Sequence, residues 1–374
     1  MSVTTWNPSR SPNEAFVYID LSAVDNVAKA ISAATTVIGD EAPSRARQLV
    51  AAGDVLVSTV RPNLNAVAVV PPELDGATAS TGFTVLRPAD NLDGRYLFQW
   101  VRSQAFIADM VRNATGASYP AVSDRIVKGS MIPAPGLEEQ RRIAAILDHA
   151  DDLRAKRRRT LAHLDALTQS IFDDTLSSSD PLVPLGDALT FVTSGGRGWA
   201  KYYAQVGARF IQSLDVQMGT ISDREPVFVT PPGNAEARRT RTQIGDVLLT
   251  ITGSRIGRVS ALPSGLSGSY VSQHVAILRA NPKCLRPEYL ATMLGLPGLG
   301  QRLIAKTQYG QTKPGLNFEQ IRGFELPRPG LERQDIFLDR KSRVEGIRGR
   351  ILAGDAQAKA LFASLQSRAF RGEL

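Results

Sequence analysis

The sequence predicts an α+β fold: two mixed α/β heads, each followed by a long helix, with the two helices pairing as an antiparallel coiled coil. Three observations predict it. The chain repeats itself in consistent order, both halves carry short β-rich runs broken by turn residues, and two amphipathic stretches of ~40 residues lie at matching places.

The repeat comes first. Gly53-Asp54-Val55-Leu56 returns 192 residues later as Gly245-Asp246-Val247-Leu248, and Val85-Leu86-Arg87 meets Ile277-Leu278-Arg279 at the same offset. One residue of slip brings Tyr96-Leu97 onto Tyr289-Leu290. At an offset of 194, Gly116, Pro120, Gly129 and Pro133 match Gly310, Pro314, Gly323 and Pro327. Pro135-Gly136-Leu137-Glu138 then matches Pro329-Gly330-Leu331-Glu332, and Gln140 matches Gln334. Offsets that creep in one direction are what duplication with small insertions leaves; chance would scatter them.

Residues 54–60 and 66–70 are β-rich and flank Arg61-Pro62-Asn63-Leu64-Asn65, a hairpin signal. Their counterparts are 246–252 and 258–262, joined across Gly253-Ser254-Arg255-Ile256-Gly257. Residues 95–112 and 287–306 read as one helix in each head.

After Pro135-Gly136 the period becomes helical, with Glu138 and Glu139 in the first turn, where the helix dipole favours acids. Apolar or small residues recur at Ile143, Leu147, Ala150, Leu161, Leu164 and Ile171. In the second helix they recur at Phe337, Val344, Ile347, Ile351, Gly354, Ala358, Leu361 and Leu365. Two such seams without other partners pair with each other, as struts of roughly 60 Å. Leu167, Phe172 and Leu176 match Leu365, Phe370 and Leu374 at an offset of 198, which predicts one extra turn in the second helix. Gly346, Gly349 and Gly354 each cost ~1 kcal/mol against Ala in a helix. They read either as a weakened or kinked helix or as a close backbone approach to the first helix or a partner.

The bulk numbers restrict the function classes. A chain of 374 residues with 43% hydrophobic types supports more than one core. Lys and Arg outnumber Asp and Glu by 44 to 36, for a net charge of +8 and a pI near 9.7. That excess points to a polyanion, nucleic acid ahead of membrane, or to ordinary basic drift. The single Cys284 excludes an intrachain disulfide and argues against a cysteine zinc site. The first residues lack the pattern of a signal peptide, and no run approaches the ~18 apolar residues of a membrane span. The expected place is the cytoplasm.

Catalytic signatures are missing. Neither Val70-Pro71-Pro72-Glu73 nor Thr230-Pro231-Pro232-Gly233 is an amino-methyltransferase tetrapeptide, and Ser194-Gly195-Gly196-Arg197-Gly198 lacks the spacing of a phosphate loop. His149, His163 and His274 have no acidic or thiol companions at metal-ligand spacing. Asp151-Asp152 and Asp173-Asp174 read as solvated helix faces, and no metal is expected. The basic run 154–159 wraps around its helix and reads as a solvated face or a partner's docking point.

Basic and amide side chains occupy the turns of both heads. In the second these are Arg197, Lys201, Arg255, Arg258, Gln273 and Lys313; in the first, Arg61, Asn63 and Asn65, with Ser118 and Tyr119 opposite Thr312 and Lys313. Arg and Lys suit guanine edges or phosphates, and Asn and Gln suit adenine. Any one of them is as easily a solvated loop tip. As a set they are candidate DNA contacts, and they differ between heads whose scaffold positions repeat.

The chain resembles the specificity subunit of type I restriction–modification enzymes. The resemblance is carried by Pro133-Ala134-Pro135-Gly136-Leu137-Glu138-Glu139-Gln140-Arg141-Arg142-Ile143 and its twin, residues 327–334. It is also carried by Ala369-Phe370-Arg371-Gly372-Glu373-Leu374, residues 194–199 and Val271-Ser272-Gln273-His274-Val275-Ala276. The resemblance implies two target-recognition domains in an inverted, pseudo-two-fold arrangement, at 1–136 and 178–330. Conserved long helices at 137–177 and 331–374 separate them. It further implies that each domain reads half of a bipartite asymmetric sequence in double-stranded DNA while the helices set the gap. Two methyltransferase subunits and then endonuclease–translocase subunits join. S-adenosylmethionine, Mg and ATP belong to those partners, which flip the target adenine; this chain carries no cofactor and no catalysis. Two departures stand out. The first head lacks counterparts of Val183-Pro184-Leu185-Gly186-Asp187 and of Gly195-Gly196-Arg197, and Glu332-Arg333 stands where the first junction has two acids. The alternatives are a coiled-coil scaffold whose heads bind protein, and a divergent DNA-modifying enzyme.

Overall fold

The computed structural model describes residues 3–308 and 315–374. The chain forms two compact units that do not follow chain order: Met1–Leu161 with Arg350–Leu374, and Ala162–Gly349.

In the first unit, β1 (Ala15–Ile19) is followed by a hairpin of β2 (Val24–Asp25) and β3 (Ala30–Ile31), then β4 (Thr35–Ile38) and β5 (Ala46–Leu49). Next come β6 (Val55–Ser58), β7 (Val67–Val69), β8 (Thr78–Ser80) and β9 (Phe83–Leu86). One sheet has the order β4-β1-β8-β5, with β1 and β8 parallel; the other is antiparallel, β7-β6-β9. Helices α1 (Gly94–Val101), α2 (Gln104–Arg112) and α3 (Asp124–Lys128) follow, then α4 (Leu137–Thr175).

The second unit repeats the plan. It adds β10 (Leu182–Pro184) and β11 (Leu189–Ser194), then β12 (Tyr203–Ala204), β13 (Ala208–Ile211), the hairpin of β14 (Val216–Gln217) and β15 (Thr220–Ile221), and β16 (Val227–Val229). After α5 (Ala235–Thr240) come β17 (Asp246–Thr250), β18 (Val259–Ala261), β19 (Tyr270–Val271) and β20 (Val275–Ala280). The chain continues through α6 (Pro287–Gly295), α7 (Arg302–Thr307), α8 (Phe318–Arg322) and β21 (Glu325–Pro327) into α9 (Leu331–Ala369). The sheets run β12-β16-β13-β19 and β11-β20-β17-β18. The repeat survives to the register: Tyr18 faces Thr78 in the parallel pair, as Phe210 faces Tyr270. β11 pairs beside β20, whereas β9, which stands where β20 does, ends its sheet among the described residues.

Each expected single helix of the heads is two. Ser103 interrupts the first by accepting the Phe106 N–H as an N-cap. In the second, α6 stops at Gly295, and Pro297 opens a π-helical turn before α7.

The repeated junction residues prove to be the braces of the heads. Buried Gln140 accepts from Asp93 N (2.9 Å) and donates to Asn91 O (3.1 Å) and Pro135 O (2.8 Å). Gln334 accepts from Arg286 N (2.8 Å) and donates to Cys284 O (3.0 Å) and Pro329 O (2.9 Å). Likewise Asp54, buried, takes a two-pronged grip from Arg87 at 2.7 and 2.6 Å, and Asp246 takes the same from Arg279 at 2.7 and 2.9 Å. A buried amide or carboxylate held by three hydrogen bonds is costly to alter, which accounts for its repetition.

The long helices are equal, 39 residues each, so the expected extra turn in the second is absent: Phe172 lies inside α4 and Phe370 one residue beyond α9. In the first unit, Ile143 and Leu147 of α4 share a core with Phe362 and Phe370, and Arg157 Nη1 donates to Gly354 O at 3.2 Å. In the second, Phe172 and Phe337 share a core, and Arg348 pairs with Asp165 at 2.5 Å. In each unit the pairing is antiparallel. Leu361, expected on the seam, is 61% exposed, while its neighbour Phe362 is 8% exposed. The three helix glycines do not break α9, and a Cβ at Gly346, Gly349 or Gly354 would meet no atom within 4 Å; the Gly354 carbonyl is the one that takes the Arg157 bond from α4. No helix among the described residues is long and apolar enough to cross a membrane.

Candidate nucleic-acid interface

In the second head three loops converge at the strand ends. The loop after β17 begins and ends on glycines with left-handed backbone, Gly253 (φ 88°) and Gly257 (φ 89°), which hold half-exposed Arg255 between them. Ser272-Gln273-His274 enters β20 alongside. Thr252 Oγ1 bonds His274 Nδ1, and Gln273 Nε2 lies 3.1 Å from His274 Nε2. Among the described residues, the Ser272 hydroxyl and the Gln273 side-chain carbonyl oxygen are buried without a partner. The third loop follows β11. A Cβ at Gly195 would fall 1.7 Å from Val271 O, so only glycine lets the loop pass the β19 backbone there, and one at Gly196 would fall 1.5 Å from Glu236 Oε1 and displace that carboxylate. Glu236 also accepts from Trp199 Nε1 at 3.0 Å, and Arg197 stands exposed between these anchors. Lys201 is exposed, its ammonium 5.0 Å from the Tyr202 ring centroid. Lys313 lies outside the described residues.

Arg258 behaves differently from its neighbours. It is half-buried and donates to Gln217 Oε1 on the β14–β15 hairpin, so its guanidinium is engaged within the head.

In the first head, Arg61 and Asn65 stand where the second has Gly253 and Gly257, and they keep the left-handed backbone without glycine, at φ 50° and 47°. The Arg61 guanidinium stacks 4.9 Å from the ring of exposed Tyr119, and Arg61 N donates to Pro120 O at 2.7 Å. This gathers Arg61, Ser118 and Tyr119 on one exposed surface, with Asn63 exposed in the middle of the loop. Asn65 turns the other way. Its side chain is buried, donates to Val101 O at 2.8 Å and accepts from Lys29 Nζ at 3.0 Å. Burial, with Arg102 nearby, pulls the Lys29 ammonium down to about 8.

The sequence offers as candidate contacts two residues, Asn65 and Arg258, that are engaged within their heads by partners 36 and 41 residues away. It misses Lys29, Gln217, Thr252 and His274. Only the glycine spacing at Gly253 and Gly257 signals, in sequence, that the loop is special. Among the described residues no group of three His, Cys, Asp or Glu side chains is placed to hold a metal.

Residues 37–163 match the family described as the type I restriction modification DNA specificity domain. The chain is 24% identical over 104 residues to the type I restriction enzyme MjaIX specificity subunit of Methanocaldococcus jannaschii, and 24% identical over 151 residues to the HindI specificity subunit of Haemophilus influenzae. These matches take in 28% and 40% of this chain, and the chain spans only 24% and 33% of those two proteins' lengths. A solved structure from work on complex assembly and conformational transition of the type I R-M system superposes with a TM-score of 0.62 at 25% identity. That superposition covers 100% of this chain and 96% of the other.

Proposed function

We propose that this chain is the specificity subunit of a type I restriction–modification system, a sequence-specific DNA-binding subunit whose two heads each read one half of a bipartite, asymmetric target. One observation carries the reading: the heads share their braces but differ at their tips. Gln140 and Gln334 hold equivalent main-chain groups, whereas Arg61 with Tyr119 in one head is replaced by Gly253 beside Arg255 in the other. A protein built to bind the same thing twice has no use for that difference.

In this reading the DNA-facing set is Arg61, Asn63, Ser118 and Tyr119 in the first head, and Arg197, Lys201, Arg255, Gln273 and Lys313 in the second. Arg61 and Arg255 suit guanine edges, and the Gln273 amide suits adenine, which offers a donor and an acceptor together. The chain supplies the address and no catalysis. The chemistry belongs to two methyltransferase subunits and to endonuclease–translocase subunits, in the cytoplasm.

The test is methylome sequencing of cells with and without this chain. Loss of one bipartite adenine-methylation motif is expected; retention of every motif alongside an active methyltransferase partner overturns the proposal. Purified chain gives a second readout. A head pair neutralising 6–10 phosphates loses about 10³–10⁵-fold in affinity between 50 and 200 mM salt. Flat salt dependence favours the protein-binding scaffold instead.

A further inference from the structure

The two heads brace the same loop with cations of opposite origin. In each head a short hairpin reaches the loop that carries the candidate DNA contacts or the strand that leaves it: β2–β3 reaches residue 65 through Lys29, and β14–β15 lies against β18 at Arg258 and Val259, just beyond residues 253–257. The hairpins correspond, since Val24 pairs with Ile31 as Val216 pairs with Ile221. In the first head the cation comes from the hairpin. Lys29, itself left-handed at φ 57°, sends its ammonium to both Asn65 O and Asn65 Oδ1, the latter at 3.0 Å. In the second head it comes from the loop. Arg258, one residue beyond Gly257, reaches back to Gln217 Oε1 at the end of β14, and Gly219 N donates to Val259 O at 2.8 Å.

The reason for a brace differs between the heads. Glycines make the left-handed ends of the second loop easy to adopt, and the loop needs only a tether. The first loop has Arg61 and Asn65 at those ends, where a Cβ opposes the conformation. Lys29 binds the carbonyl that this strained geometry presents, and Asn65 passes the restraint to Val101 O. The far end of the loop is where Arg61 rests on Tyr119.

We infer that Lys29 and the Arg258–Gln217 pair are positioning residues, one brace per head, which hold the 61–65 and 253–257 loops in their DNA-reading geometry without touching DNA. This rests on the proposed function for its consequence, though not for its geometry.

Two measurements on the full chain separate the brace from the reading. The first is amide hydrogen exchange without DNA. Lys29→Met keeps the stem and removes the donors, and Leu64 and Asn65 amides should then exchange at least ~10-fold faster while residues 253–257 are unchanged. Equal exchange in wild type and variant overturns the brace. The second is selection from a randomised duplex DNA library, followed by sequencing. Lys29→Met should blur the half-motif read by the first head by roughly tenfold in base preference and leave the other half intact. Gln217→Leu should do the reverse, and Lys29→Arg should restore the first half. If both halves blur equally, or neither does, the positioning role is overturned. If wild type selects no motif while exchange responds as expected, the DNA reading fails and the brace survives.

Discussion

The ring of Phe370 lies 5.2 Å from that of Tyr96, centroid to centroid, so the end of the chain closes the core of the first head. Phe172 makes the matching contact in the second unit, stacked 5.3 Å from Tyr289. Each unit thus borrows the tail of the helix that belongs, in chain order, to the other head. The Tyr96 hydroxyl donates to Pro133 O at 2.9 Å, while among the described residues the Tyr289 hydroxyl is buried without a partner.

Phe370→Ala should therefore destabilise the first unit by about 3–5 kcal/mol, the usual cost of emptying a buried aromatic site. Denaturant unfolding followed by Trp100 fluorescence is the measurement, because Trp100 lies 5.1 Å from the same ring. A change under 1 kcal/mol would mean that the tail merely rests on the head.

Arg61→Gly separates stability from binding. Relief of the left-handed backbone at φ 50° should raise stability by about 1 kcal/mol. Loss of the guanidinium should weaken binding to target DNA roughly tenfold. If stability and affinity rise together, Arg61 is not a DNA contact.

The glycines of α9 offer a stabilising change. Gly346→Ala and Gly349→Ala place a methyl group in open space, so each should add ~1 kcal/mol by helix propensity alone, visible as a higher midpoint in urea. Destabilisation instead would reveal a neighbour at that face.

Lys29 makes stability depend on pH in a defined window. Its pKa is about 8 in the folded chain, against 10.5 for an ordinary lysine. Between those values the unfolded chain holds the proton and the native one does not, so this group makes stability rise with pH; below 8 both states are protonated and its contribution is flat. The difference in unfolding free energy between pH 9.5 and pH 7.5 should shrink in Lys29→Met. An unchanged difference assigns the pH response to other groups.

Much of the design was legible beforehand. The repeat, the junctions at Pro135 and Pro329, and the two long helices follow from residue types whose physics is local: turn formers, helix period and capping acids. Gln140 and Gln334 could be paired in sequence, but not what they hold, because their partners lie up to 49 and 50 residues away. The same holds for the loops, where Asn65 and Arg258 look like free polar tips until their partners appear.

What the sequence alone determined is the duplication, the order of its parts and the loops in which the copies diverge, since each is written in spacing along the chain. The tertiary structure decided which helix tail completes which core, which polar side chains face inward, and where Lys29 and Phe362 act. Those outcomes depend on burial and on donor–acceptor geometry between segments far apart in the chain, and residue spacing does not encode them.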